Sequence, residues 1–337
     1  MCLISDISEE KLFLMQKVTL VLGPACNICC RHCIQFSAKN SKWDCSVSND
    51  CINALVKWCK NIKVSKRLLF RKPMLLFYGG EPLLYYSLIR DIVDRLEFAG
   101  FDFKKVNLKL FTNGLLLTDD MVDYFNQYGF EIVLSYDGPD EYAVRPVIAS
   151  DDNISVWKSF WRRGITTCLT KYNYDFLQTK MFLKNKFKTD NISIEMIYVN
   201  WDMPNDIYDF PAGYFDMQLR KIGTYYKYNR LDKSFLTFTK NFLSGVTGCY
   251  KNISISPDGH ILNNRFELKN VSSCDNIVEY ICNTCEKRIV CPFAGKHNVK
   301  STDCNIGFDY FRAYLKHKKC LESLVFRDFD YLLSKDY

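Results

Sequence analysis

Three cysteines, Cys26, Cys30 and Cys33, stand at CxxxCxxC spacing just after the apolar run 18–23. Thiolates are soft ligands that select zinc, copper(I) or iron-sulfur clusters, and a set of three leaves a position open for substrate or cofactor. Cys29 lies inside the same stretch, so a CxxCxxxC set is available too. Far downstream, seven cysteines fall between Cys249 and Cys320. Among them Cys282, Cys285 and Cys291 run as CxxCxxxxxC, followed by Cys304, and cysteines so gathered suit either an iron-sulfur cluster or a tetrahedral zinc.

Polar groups gather after later apolar runs. Tyr78-Gly79-Gly80-Glu81-Pro82 follows the run 74–77, Thr112-Asn113-Gly114 follows 106–111, and Ser135-Tyr136-Asp137-Gly138-Pro139 closes 132–135. A carboxylate at Glu81 can accept charge-assisted hydrogen bonds from an ammonium, and Gly79 and Gly80 let the backbone approach a ligand closely. Ser135 and Asp137 offer a hydroxyl and a carboxylate, and Arg145 a planar fork for a carboxylate. The plainer reading of Asn113-Gly114 and Asp137-Gly138 is two turns.

The elements that must position these groups alternate. Strand-like runs at 18–23, 74–77, 106–111, 132–135, 165–170 and 192–199 are separated by helix-like segments at 47–62, 83–99, 118–128, 152–163 and 174–187. Ser48 and Thr118 are placed as helix caps, the latter followed by Asp119 and Asp120, whose charge suits a helix N-terminus. Six such repeats predict a parallel sheet curled as a partial barrel, with active groups at the C-terminal strand ends. Residues 201–248 change character, with many Tyr and Phe, Pro204 and Pro211, and a helix predicted over 214–228. Those aromatics are expected to pack rather than to line a groove. The division is thus a barrel over 1–200, a helical bridge over 201–248 and a small Cys-rich domain over 249–337.

The chain has 337 residues, 48% hydrophobic and 25% charged, which reads as globular. No run approaches the roughly 18 apolar residues of a membrane span, and the N-terminus lacks a signal-peptide pattern. A cytoplasmic protein is therefore expected, in which 16 cysteines mean metal or catalysis more often than disulfides. The net charge of +7 comes from scattered lysines that read as a solvated face, so neither nucleic acid nor membrane is expected as a partner.

The cysteine triplet after the first strand and Gly79-Gly80-Glu81 after the second together resemble the radical S-adenosylmethionine (SAM) superfamily. That resemblance implies an α/β fold, a partial (βα)6 TIM-like barrel. It implies a 4Fe-4S cluster on Cys26, Cys30 and Cys33, with Cys30 preferred over Cys29. The fourth iron chelates SAM, Glu81 receives its amino group, and electron transfer from the cluster yields a 5'-deoxyadenosyl radical that abstracts hydrogen. His32 stands where the family usually has a ring near adenine. Asn113, Ser135 and Asp137 resemble motifs of the SPASM and twitch branch, in which Ser135 and Asp137 suit ribose hydroxyls or the methionyl group and Arg145 the SAM carboxylate.

The C-terminal cysteines, with Ser256-Pro257-Asp258-Gly259-His260 as a hairpin turn between two short strands, resemble the same branch, whose domain carries two auxiliary clusters. Asn264 and Gly295 stand where the family has cysteines, which leaves one auxiliary 4Fe-4S cluster on Cys282, Cys285, Cys291 and Cys304, with Cys274 and Cys320 as spare ligands. Arg265 replaces the Asp base of sulfatase-maturing members and disfavours that reaction. Cys168 and Cys249 are candidate hydrogen-atom donors, against the plain alternative of buried, inert thiols. Branch members mostly modify ribosomally made peptides. The expected function is crosslinking or epimerisation of a precursor peptide, with a flavodoxin or ferredoxin as electron donor. The alternative is oxidation or rearrangement of a small molecule such as a sugar or cofactor precursor. The stretch before Val18 is short for a leader-binding domain, so peptide recognition is expected from the barrel rim, the bridge or a separate protein.

Overall fold

The computed structural model describes residues 3–33, 46–62, 72–139, 143–196, 210–211, 213–239, 252–262 and 305–328. Strands β1 (Lys17–Val21), β2 (Met74–Tyr78), β3 (Asn107–Thr112), β4 (Glu131–Ser135), β5 (Arg163–Leu169) and β6 (Ile192–Met196) alternate with helices. The helices are α1 (Glu9–Phe13), α2 (Asn49–Asn61), α3 (Tyr86–Phe98), α4 (Asp119–Gln127), α5 (Asp151–Lys158) and α6 (Phe176–Phe187). Beyond them come α7 (Tyr214–Tyr228), α8 (Lys233–Thr239), β7 (Asn252–Ile255) and α9 (Asn305–Arg327).

All neighbouring strands are parallel, in the order β6-β5-β4-β3-β2-β1-β7. Alternation along each strand divides the side chains between two faces. Leu75 and Phe77, Leu108 and Leu110, Ile132 and Leu134, Ile165 and Leu169, and Ile192 and Ile194 enter the hydrophobic core. The opposite face carries Ser135, Thr166, Cys168 and Glu195, all only half-buried. The core therefore sits between sheet and helices, and the other face mixes these polar groups with buried Val21, Leu76 and Val133.

Local sequence sets most boundaries. Ser48 caps α2 by accepting from the Cys51 N–H, and Asp175 caps α6 by accepting from Gln178. Thr118 occupies the cap position of α4 without a side-chain cap bond, leaving Asp119 and Asp120 to complement the helix dipole. The helix predicted over 152–163 is cut short at Lys158. Its last apolar positions are used elsewhere: Phe160 buries itself in a turn after Trp157 and the chain re-enters the sheet at Arg163.

A seventh strand joins the six expected. Residues 256–260 do form a hairpin turn, with Ser256 N–H donating to the His260 carbonyl, but its first strand pairs in parallel with β1. At the other edge α8 covers β6: the Ile194 N–H donates to Thr237 Oγ1, and Ser234 Oγ donates to the Ile192 carbonyl. The predicted helix over 214–228 is α7, in which Tyr214, Phe215 and Tyr226 are buried and packed while Tyr228 is exposed. Helix α9 was not expected. It lies along α7, with Cys320 exposed and its Sγ 3.5 Å from where a Cβ on Gly223 would stand. Cys249, Cys274, Cys282, Cys285, Cys291 and Cys304, together with Asn264, Arg265 and Gly295, lie outside the described residues.

Candidate functional site

The cysteine loop is fastened to the loop after β2. The Gly80 N–H donates to the Gly23 carbonyl and the Glu81 N–H to the Ala25 carbonyl, both at 2.8 Å. A Cβ on Gly80 would lie 2.1 Å from the Ala25 carbonyl oxygen, and one on Gly79 2.7 Å from that of Gly23. The close backbone approach expected at these glycines is therefore made to the cysteine loop itself. Tyr85, one turn beyond Glu81, adds a hydroxyl that accepts from the Ala25 N–H at 2.8 Å.

Glu81 is buried and organises the third strand end. Its Oε1 accepts from Thr112 Oγ1 at 2.8 Å and the Leu83 N–H at 3.0 Å, and its Oε2 accepts from the Asn113 N–H at 2.8 Å. A carboxylate has about four acceptor sites, so one remains for a ligand. Burial raises the Glu81 carboxyl above its usual range, against the pull of these three donors. Asn113 continues the chain of contacts, its Nδ2 donating to Asn27 Oδ1 within the cysteine loop at 2.7 Å. Gly114 and Gly138 both take positive φ, 83° and 105°, so the two turn readings hold for the backbone while Asn113 and Asp137 turn their side chains into this network.

A second cluster joins residues far apart in sequence. Asp137 Oδ2 accepts from Arg145 Nε at 2.5 Å and lies 3.3 Å from His32 Nε2, while its Oδ1 accepts from the Cys168 N–H at 3.2 Å. Arg145 then reaches past Asp137, one terminal nitrogen standing 3.5 Å from Cys30 Sγ. Burial alone would raise the Asp137 carboxyl; Arg145 foremost, with His32 and the Cys168 N–H, overrides it and holds the group below its usual range. Burial lowers His32, so its imidazole is neutral and Nε2 carries the proton toward Asp137. Asn173, which the sequence reading passed over, donates to the Asp137 and Cys168 carbonyls and ties this cluster to the end of β5.

Of the cysteines, Cys30 is buried and Cys26 and Cys33 half-buried, whereas Cys29 is exposed. Ser135 ends β4 half-buried beside Thr166. Cys168 stands one residue before the end of β5, beside Glu195. Among the described residues no three His, Cys, Asp or Glu side chains converge as a single metal ion requires.

Two observations test the fit of a cluster and SAM. Burial pushes the Cys30 thiol up to about 12, so a thiolate there needs a cation in place of its proton, which iron supplies. His32 Nδ1 is buried with no partner, an acceptor left over for a donor of a bound molecule. Cys26, Cys30 and Cys33 would hold the cluster, and Glu81, His32 and Ser135 would face SAM.

Comparison with known proteins follows the same lines. A family profile described as the Radical SAM superfamily matches residues 20–174. Over 136 residues the chain is 26% identical to the radical SAM cyclopropyl synthase TigE of Paramaledivibacter caminithermalis, which covers 37% of this chain and 28% of TigE. Over 194 residues it is 23% identical to the Methanocaldococcus jannaschii protein MJ0907, covering 54% of this chain and 63% of that protein. These matches span less than two thirds of either relative. Among solved structures, native anSMEcpe with bound AdoMet and the Cp18Cys peptide superposes with a TM-score of 0.58 at 13% identity, over 94% of this chain and 98% of that one. Streptococcus suis SuiB bound to precursor peptide SuiA gives 0.56 at 16% identity, over 82% and 71%. Such identities speak to the fold alone. The cysteine loop, the Gly-Gly-Glu turn and β2 to β5 of the parallel sheet all lie inside residues 20–174, the part of this chain that matches the radical SAM superfamily.

Proposed function

We propose that this enzyme abstracts a hydrogen atom from a ribosomally made peptide, in a crosslinking or epimerising step of natural-product maturation. When bound, a reduced 4Fe-4S cluster and SAM supply the 5'-deoxyadenosyl radical for that abstraction. The observation that carries the reading is the docking of the cysteine loop onto the Gly-Gly-Glu loop beside Asp137, Arg145 and His32. The chain's own groups would hold the cluster through Cys26, Cys30 and Cys33, keep one carboxylate site of Glu81 for an ammonium, and offer His32 Nδ1 as an acceptor.

The peptide part of the reading is supported by the fold shared with two proteins whose structures contain peptides, Cp18Cys in one and SuiA in the other. The strand face with Ser135, Thr166, Cys168 and Glu195 is the surface on which such a substrate would lie. The same proposal includes one auxiliary 4Fe-4S cluster on Cys282, Cys285, Cys291 and Cys304, and a flavodoxin or ferredoxin as electron donor. It includes the cytoplasm; among the described residues no helix is long and apolar enough to cross a membrane.

Anaerobic reconstitution with iron and sulfide, followed by dithionite and SAM, is expected to yield 5'-deoxyadenosine. A filled cluster without that product would sink the enzymatic reading. Co-expression with a short peptide encoded beside the gene, read by mass spectrometry, tests the substrate. A mass change of the peptide is expected. An unchanged peptide together with turnover of a sugar or cofactor precursor would transfer the assignment to small-molecule chemistry.

A further inference from the structure

We infer that Arg145 is a positioning residue that sets the reduction potential of the SAM-site cluster through Cys30, with Asp137 as the strut that aims it. The inference rests on Cys26, Cys30 and Cys33 carrying that cluster; it does not depend on what the substrate is.

Three observations carry it. The Arg145 Nε is fixed on Asp137 Oδ2 at 2.5 Å while a terminal nitrogen of the same planar guanidinium stands 3.5 Å from Cys30 Sγ. Arg145, Asp137 and Cys30 are all buried, at 8%, 1% and 8% exposure, so water screens little of this charge. Asp137 is in turn fixed by the Cys168 N–H and His32, and its backbone carbonyl by Asn173. Hence the guanidinium cannot swing freely.

Reduction adds one electron to a cluster bound by three thiolates. A fixed cation that donates a hydrogen bond to one ligating sulfur favours the more negative, reduced state, and so raises the potential. Arginine suits the task because its charge is permanent and its fork makes both contacts at once. The contact to sulfur comes from a group that the sequence reading had assigned to the SAM carboxylate. In this geometry two of its nitrogens are committed to the protein, and SAM binding and cluster potential draw on one side chain.

The test is an EPR-monitored redox titration of the reconstituted full chain, following the reduced-cluster signal that changes when SAM is added. Arg145→Gln is expected to lower the midpoint potential with iron content unchanged. Arg145→Lys, which keeps the charge and loses the fork, is expected to fall between Gln and wild type. Should Arg145→Gln lose its iron, the Lys variant alone decides, again by a lowered potential. An unchanged midpoint in an iron-replete variant, whatever happens to SAM affinity, would overturn the inference and leave the proposed function standing. A wild-type chain with no SAM-responsive signal would overturn both.

Discussion

Glu81 illustrates how one side chain can serve a fold and a ligand. Two of its three hydrogen bonds join the loop after β2 to Thr112 and Asn113 at the end of β3, the third caps the turn at Leu83, and one acceptor site is left over. Exchanging it for Gln turns an acceptor oxygen toward donors as an amide NH2, so Glu81→Gln is expected to destabilise the chain by about 2 kcal/mol, measured by denaturant unfolding of the cluster-free protein. Gly80 makes the complementary case. Gly80→Ala would place a methyl 2.1 Å from the Ala25 carbonyl oxygen. It is expected to cost about 2 kcal/mol and to lower iron retention, read by metal analysis after reconstitution, because the two loops must part.

At the scale of elements, α8 does two jobs for the sheet. Its hydroxyls satisfy the open edge of β6, where unpaired backbone groups invite other strands. Ser234→Ala is expected to cost about 1 kcal/mol by thermal unfolding, since the buried Ile192 carbonyl loses its donor. Its first residue, Lys233, reaches Glu131 at 3.2 Å and Asn191 at 2.6 Å, while Lys109 approaches the other Glu131 oxygen at 2.8 Å. Burial alone would raise the Glu131 carboxyl; Lys109 and Lys233 override it and hold the group far below its ordinary 4.5. In the unfolded chain the same carboxyl takes a proton near that ordinary value. The stabilisation is therefore present above about pH 4.5 and is lost as pH falls below it, with a slope of at most about 1.4 kcal/mol per pH unit for one proton. Glu131→Gln is expected to flatten that part of the stability profile, measured by urea unfolding between about pH 3 and pH 6.

At the scale of the molecule, the sheet is extended at the β1 edge by β7, so a strand of the sequence region first read as a separate Cys-rich unit adds to the barrel sheet. The hairpin after it returns to the N-terminus, its Gly259 carbonyl accepting from the Ile4 N–H and its Pro257 carbonyl from the Ser48 N–H. Whether the cysteines beyond it hold a cluster is read from iron content. About eight irons per chain are expected after reconstitution, and about four should remain in a Cys26→Ala, Cys30→Ala, Cys33→Ala triple variant, since two four-iron clusters are proposed. A wild-type count near four that drops to none in the triple variant would remove the auxiliary cluster.

The sequence by itself determined the kind of fold and the kind of chemistry. Short apolar runs alternating with helix-like segments point to a parallel sheet, and thiols at CxxxCxxC spacing select a soft metal. Strand ends placed Glu81, Asn113, Ser135 and Asp137 at one rim for the same local reason. Tertiary structure decided which of these groups meet. Arg145 lies 115 residues from Cys30, and no local pattern could say that Asp137 would turn it toward sulfur rather than toward a carboxylate. Nor could spacing show that Gly79 and Gly80 are required by the cysteine loop, that Tyr85 and Asn173 complete the network, or that β7 pairs with β1. Those outcomes depend on the packing of distant segments, where burial makes every unsatisfied polar group costly and so fixes partners that sequence separation hides.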